Sequence, residues 1–363
     1  MFWGIYYFNL FGEDVPKMLK GGKFMNWYLE NGKDSDIVIS SRIRLARNLK
    51  EFNFKRKMTQ NDKEKLLEKV KFVTPGLGYG LKFLKINDMD DITKMELVEK
   101  HLISPEMVLN KENDGAILIN NEENICILIN EEDHIRLQVF TSGLDLQNTL
   151  NLGIELDEKL DELLNFSFNK QYGYLTACPT NVGTGLRASV MVHLPALKMT
   201  GNLGKILKIV NSFGMTIRGA YGEESSARGD IYQISNNQTL GISEKEIVSN
   251  LENITKKVIE QERLARKYLA KNTDDLEDKV YRSYGILTNA RKISSDECDS
   301  LLSDIKLGTD LGIIEELNDS KVKKLMLYTK PASLQKILGK QLDSNDRDKK
   351  RVEVIKKVVN GEL

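Results

Sequence analysis

From Asp36 to Leu45 apolar and polar positions alternate. Ile37, Ile39, Ile43 and Leu45 fall on one side, and Asp36, Ser40, Arg42 and Arg44 on the other, which predicts a strand. Thr59 and Asp62 then open an amphipathic helix that turns Leu66, Leu67, Val70 and Val73 inward. A second helical stretch is predicted over about 91–103. The apolar runs Ala116–Ile119 and Ile125–Ile129, separated by a polar pentapeptide, predict a hairpin. After the polar turn Asn130-Glu131-Glu132-Asp133, alternation resumes, with Ile135, Leu137 and Val139 opposite His134, Arg136 and Gln138. A helix is expected over 144–164, strand-like chain around a Gly-rich turn over 171–195, a helix over 204–212, and strands at Met215–Arg218 and Ile231–Ile234.

From Ser243 the pattern changes. Ser243 and Glu246 form a capping box for a helix reaching about Ala270, and the chain beyond is helical and charged. The polar run 271–275 marks the boundary. The expected fold class is therefore α+β over 25–270, followed by a small helical unit over 271–363. Residues 1–24 are aromatic-rich and lack the organisation of a signal peptide. Lys20–Phe24 can be encoded by a purine-rich stretch resembling a bacterial ribosome-binding site, so translation is expected to begin at Met25, with 1–24 a non-native or disordered extension.

Composition narrows the function. Lys+Arg and Asp+Glu both total 53, so the formal net charge is zero, and direct nucleic-acid binding is not expected. No apolar run reaches the roughly 18 residues of a membrane span. Cys126, Cys178 and Cys298 are far apart, as are His101, His134 and His193, which argues against a disulfide framework or a metal cluster and for a reducing cytoplasm.

The chemistry lies in arginines on polar strand faces and carboxylates in tight turns. Arg42, Arg44 and Arg136 project from strands, and Arg187 and Arg218 sit beside glycines. A single such arginine is most often solvated or salt-bridged. Several on one sheet would clamp a polyphosphate, because the guanidinium fork matches phosphate oxygens. In the run Cys178-Pro179-Thr180-Asn181-Val182-Gly183-Thr184-Gly185-Leu186-Arg187, the glycines let backbone N–H groups approach an anion, without the ending of a Walker A loop.

That run resembles the signature of the ATP:guanido phosphotransferase (phosphagen kinase) family. Similarity continues, in the same order, in SSRIRLAR (40–47), NEEDHIRL (130–137) and IRGAYGEES (217–225). The resemblance implies a largely antiparallel sheet flanked by helices, and ATP with Mg²⁺ as cofactors. It implies that Arg42, Arg44, Arg136, Arg187 and Arg218 bind nucleotide phosphates. Glu132 and Glu223 would hold the substrate guanidinium, with Cys178 beside the reacting nitrogen; a merely packed role for Cys178 stays open. A guanidinium remains protonated at neutral pH. Two carboxylates can align it with the γ-phosphorus and accept its proton, while arginines and Mg²⁺ spread the charge of the moving phosphoryl group.

Three features are similar to the bacterial protein-arginine kinase branch of that family. With translation expected to begin at Met25, only Met25–Ser41 would precede Arg42, where small-guanidino kinases carry a helical domain. Met191 stands where those enzymes often place histidine, and a helical tail follows. In that branch the tail supports dimerisation and carries an RDxxR-type element that binds phosphoarginine. Here Arg347, Asp348 and Arg351 match it, Arg347 and Arg351 sharing a helix face. The implied partners are a heat-shock repressor, a zinc-binding activator protein and the Clp protease, and the implied assembly is a homodimer. Ser226 departs from the acidic residue relatives often carry. The alternatives are a kinase for a free guanidino compound and a non-catalytic phosphoarginine-binding adaptor.

Overall fold

The computed structural model describes residues 26–109, 114–219, 227–271 and 273–363. In chain order the first elements are β1 (Val38–Arg47), α1 (Gln60–Leu77), β2 (Lys82–Lys85), α2 (Asp91–Glu99), α3 (Pro105–Leu109), β3 (Ala116–Ile119), β4 (Ile125–Ile129) and β5 (Ile135–Ser142). Next come α4 (Leu146–Leu164), β6 (Phe168–Asn169), β7 (Gly173–Tyr174), β8 (Leu186–His193), α5 (Pro195–Met199), α6 (Leu203–Ser212), β9 (Met215–Gly219), β10 (Ile231–Asn236) and α7 (Glu244–Leu269). The remainder is helical: α8 (Thr273–Asn289), α9 (Ser295–Asp310), α10 (Asp319–Tyr328), α11 (Pro331–Leu338) and α12 (Ser344–Asn360).

Both capping boxes form. Thr59 Oγ1 accepts from the Asp62 amide while Asp62 accepts from the Thr59 amide, and Ser243 with Glu246 does the same at α7. Each satisfies two of the orphan N–H groups at a helix start. The helix expected over 91–103 closes earlier, at Glu99. His101 adopts a left-handed φ of 59°, and Pro105 forces the chain to begin again as α3. Strand β2 is an addition to the sequence reading.

An eight-stranded sheet runs in the order β2-β3-β4-β5-β1-β8-β10-β9, every neighbouring pair antiparallel. Its two faces differ as the period-two pattern requires. Ile43, Leu45, Leu137, Val139, Ala188, Val190 and Ile234 form a buried face packed against α4 and α7. The opposite face is apolar only on its β3–β4–β5 side, where Ile117, Cys126, Leu128 and Phe140 pack beneath α2 and α3. Arginines occupy the rest. A separate apolar core, including Leu276, Val280, Ile305, Leu325 and Ile355, holds the C-terminal helices together.

The helical unit is tied to the sheet by buried polar groups. Arg266 of α7 bonds Glu262 and reaches Asp310 of α9, while Ser303 of α9 meets His193 Nε2 at 2.9 Å and donates to Asp230 at 2.9 Å. Glu262 in turn accepts from the amides of Ala196 and Leu197 at the start of α5. These groups are paired because an unpaired buried charge would cost several kcal/mol, roughly 3–5.

Candidate active site

Strand pairing gathers the five sequence-predicted arginines on one face. Arg44 lies opposite Arg187 across β1 and β8, and Ala46, on the Arg44 side, opposes Arg136. Gln233 faces both Met191 and Arg218, which carries Arg218 onto the same side. Arg42 donates to Ser189 Oγ at 3.2 Å and to Gln233 Oε1 at 2.7 Å, and its guanidinium lies 5.9 Å from the centre of the Phe140 ring. Arg44 Nε is buried with no hydrogen-bond partner among the described residues. Burial, with Arg136 and Arg187 nearby, pushes Arg42 down to about 10. Burial and the same neighbours, joined by Arg42, drive Arg44 further down, with Glu131 alone opposing. A guanidinium does not give up its proton in a protein. The shifts therefore express burial of the charges first and crowding of like charges second, and a bound polyanion offsets both.

A cavity of about 830 Å³ opens over this face. Arg42, Arg44, Arg136 and Lys55 supply its positive wall, Glu131 and Glu132 one rim, and Val98, His101, Ile103 and Met107 the roof from α2 and α3. In the sequence His101 stands far from the other two histidines and carries no signal of a site. Burial, with Arg42, Lys330 and Arg44 beside it, lowers His101 to about 3, so the imidazole facing the cavity is neutral. Cys178, Arg187 and Arg218 are not among the residues lining this cavity.

The acidic turn is held at both ends. Asn130, with a left-handed φ of 57°, donates its side-chain amide to the carbonyls of Lys63 and Asp114, and its own carbonyl takes Lys55 Nζ at 2.5 Å. Asp133 is fully buried and accepts from Asn48 Nδ2 and from the Ala177 amide, both at 2.6 Å. The second bond fastens the turn to the residue before Cys178. Asn48 closes the knot by accepting from the His134 amide at 3.0 Å and donating to the Leu175 carbonyl at 3.0 Å. Asp133 stands out in the sequence only as one carboxylate of the tight turn, and Asn48 does not stand out at all. Their signal, polar residues flanking apolar alternation, is common to many turns.

Between these anchors, Glu131 and Glu132 hold a guanidinium already. Arg136 donates to Glu131 at 2.8 Å and to Glu132 at 3.0 Å. Glu131 is 8% exposed and Glu132 45%, so Glu132 is the carboxylate within reach of a substrate. Burial raises the Glu132 carboxyl, reinforced by Asp133 and Glu131 and opposed by Arg136. Cys178 is partly exposed, with Sγ 3.0 Å from Thr180 Oγ1. Glu223 and Ser226 lie outside the described residues.

A further arginine organises the Gly-rich turn from behind. Arg47 is 2% exposed on the apolar face, with Nε and Nη2 on Asp157 Oδ2 at 3.1 and 2.7 Å. Its Nη1 donates to the carbonyls of Ala46 and Thr184, both at 2.9 Å, and the guanidinium stacks 3.4 Å from the Tyr174 ring centre. Gly185 passes so close that an added Cβ would lie 2.5 Å from Arg47 Nη1 and 2.6 Å from the Ala46 carbonyl oxygen, at a φ of +62°. Gly185→Ala is therefore expected to destabilise the protein by at least about 1–2 kcal/mol, the left-handed penalty alone. Thermal melting reads the loss directly.

Arg347, Asp348 and Arg351 all lie on α12 but differ in burial. Arg351 is 0% exposed and turns into the helical core, donating to the carbonyls of Thr329 and Ile293, to Ser295 Oγ and to Asp348. Arg347 donates to the Leu342 carbonyl at 3.0 Å. The charged run in the sequence conceals this because the carbonyls that draw Arg351 inward come from residues 22 and 58 positions away.

Arginines converging on an open cavity with a guanidinium-binding carboxylate at its rim define an enzyme that moves a phosphoryl group between a nucleotide and a guanidino nitrogen. The chain belongs to the ATP:guanido phosphotransferase family, whose C-terminal catalytic domain matches residues 63–265. Residues 273–362 match the Protein-arginine kinase McsB C-terminal domain. The chain is 48% identical over 337 residues to a protein-arginine kinase of Halothermothrix orenii, covering 92% of this chain and 96% of that protein. It is 42% identical over 345 residues to one of Brevibacillus brevis, covering 94% and 96%. Among solved structures, the substrate-free duplicated taurocyamine kinase of Schistosoma mansoni is similar at 28% identity and a TM-score of 0.56, over 69% of this chain and 37% of that one. Lombricine kinase is similar at 27% identity and a TM-score of 0.56, over 66% and 69%.

Proposed function

We propose that the chain transfers the γ-phosphoryl group of ATP to arginine side chains of proteins. The observation that carries this reading is Glu131 and Glu132 closed on the Arg136 guanidinium at the rim of an arginine-lined cavity. Arg136 stands where a phosphate would draw it into the nucleotide site. When it leaves, Glu132 is free to pair with an incoming guanidinium. The attacking nitrogen forms its bond to the γ-phosphorus, the bond to the β,γ-bridging oxygen breaks, and ADP departs with that electron pair. The proton lost by the nitrogen passes to Glu132, assisted in this proposal by Glu223, while Arg42, Arg44, Arg136, Arg187 and Arg218 hold the phosphates. Cys178, carried on the turn that Asp133 fastens, lies next to the reacting nitrogen.

Mg²⁺ belongs to this reading as part of the nucleotide. Among the described residues no group of three or more His, Cys, Asp or Glu side chains could hold a metal ion. The guanidinium groups themselves offer donors only, so phosphate oxygens and water would supply most of the ligands. Bound there, the ion neutralises charge on the phosphates.

The protein-side-chain substrate is favoured over a free guanidino compound by the named relatives, which match nearly the whole chain. Incubation with ATP and either free arginine or an unfolded protein tests it. Acid-labile phosphate on protein arginines is expected, and phosphate on the free amino acid alone would overturn the reading. The wider proposal places the enzyme in the cytoplasm as a homodimer built on its helical unit. Its partners there are a heat-shock repressor and other targets, a zinc-binding activator protein and the Clp protease. Among the described residues no helix is long and apolar enough to cross a membrane. A phosphoarginine pocket at Arg347, Asp348 and Arg351 requires Arg351 to exchange its internal carbonyl partners for the ligand.

A further inference from the structure

Helix α11 begins without a cap from its own segment, since Lys330 at the N-cap makes no side-chain cap bond. The cap comes from the other unit. Glu99, the last residue of α2, accepts from the Ala332 amide at 2.7 Å, the Ser333 amide at 2.8 Å and Ser333 Oγ at 2.9 Å. This is the pairing a helix N-terminus favours, an anion on its orphan N–H groups. At the opposite end of α2, Lys336 of α11 donates to Thr93 Oγ1 at 2.6 Å. Helix α2 is thus strapped to α11 at both ends.

The strap bears on the cavity. One residue after Lys100 the chain takes its left-handed step at His101, and Val98, His101, Ile103 and Ser104 line the roof above Arg42 and Arg44. On the helical side, α11 follows Thr329, whose carbonyl receives Arg351 Nε at 2.9 Å, and Lys330, which bonds Asp299 at 2.8 Å. The helix that leads into the roof is therefore tied to the helical unit, by Glu99 at one end and by Lys336 at the other.

We propose that Glu99 is a positioning residue for the nucleotide, holding the α2–α3 roof at its working height over the arginine face so that the helical unit completes the ATP site. The proposal rests on the reading of the cavity as the nucleotide site. A roof displaced by an ångström misplaces the base and sugar relative to phosphates still gripped by arginine. Nucleotide affinity should suffer more than the transfer step.

The test uses the full chain. Glu99→Gln puts an amide N–H₂ against backbone donors and is expected to weaken directly measured ATP binding, and raise KM for ATP, by about fivefold or more, with kcat changed less. Glu99→Gln combined with Ser333→Asp gives α11 an acidic residue of its own, which should restore the melting temperature while ATP affinity stays reduced. Unchanged ATP binding in Glu99→Gln, or affinity recovered together with melting temperature in the double variant, would overturn the positioning role. Arg44→Ala run alongside separates the two ideas. If it leaves ATP binding intact, the cavity reading itself fails; if it abolishes binding while Glu99→Gln does not weaken it, only the positioning role fails.

Discussion

Glu132→Gln is expected to lower kcat for arginine phosphorylation by about 10²–10⁴-fold, with ATP binding close to that of the unchanged protein. The substitution keeps size and polarity but removes the charge that pairs with a guanidinium and the base that takes its proton. Such a loss corresponds to about 3–5 kcal/mol of barrier. ATP affinity should survive because the arginines proposed to hold phosphate come from β1, β8 and β9 as well as β5. Steady-state rates with saturating ATP, together with equilibrium nucleotide binding, make the check. A kcat within a few-fold of the starting value would remove Glu132 from the mechanism. The pH profile offers a second check. The Glu132 carboxyl is raised by burial and by Asp133 and Glu131. Its ionised form, the proton acceptor, accumulates only above the usual glutamate range near about 4.3. The acid limb of kcat/KM should accordingly lie at higher pH than an ordinary glutamate would give.

Local periodicity made half of this site legible. Alternation at Asp36–Leu45 and His134–Val139 is enough to place Arg42, Arg44 and Arg136 on polar faces, because a strand has only two. That these faces are the same face is a matter of pairing. Ala46 meets Arg136 only because β5 and β8 flank β1, and no local pattern specifies that order. Strand β2 escaped notice for a related reason. Lys82-Phe83-Leu84-Lys85 sits at a sheet edge, largely exposed, where burial imposes no alternation. The α2 boundary is hidden because the chain leaves the helix through a left-handed step at His101, with no glycine to announce it. Arg351 shows the limit most clearly. Its helix spacing is readable, yet its direction depends on carbonyls contributed by Thr329, just after α10, and by the turn before α9. Arg47 did leave a trace. It occupies an odd-numbered position, the apolar side of β1, so its charge had to be paired inside the protein.

That pairing sets the largest expected loss of stability. Asp157→Ala would leave the Arg47 guanidinium buried with only carbonyl partners and the Tyr174 ring, at a cost of about 3–5 kcal/mol. Total stabilities run to about 5–15 kcal/mol, so the variant should melt well below the unchanged protein. A midpoint lowered by less than about 2 °C would contradict the assignment. Replacing both partners separates the fold from the site. Arg47→Met with Asp157→Leu removes the stranded charge and should recover most of the stability, as apolar replacements of buried ion pairs commonly do. ATP affinity should not recover with it. Arg47 Nη1 holds the Thr184 carbonyl, and the Ala46 amide holds the Gly185 carbonyl at 2.9 Å, two residues before Arg187. Without the guanidinium, the turn that carries Arg187, a proposed phosphate ligand, loses its inner support. A double variant that is stable and binds ATP normally would make Arg47 a core residue only. One that is stable and binds ATP weakly would show that the buried side of the sheet sets the geometry of the charged side.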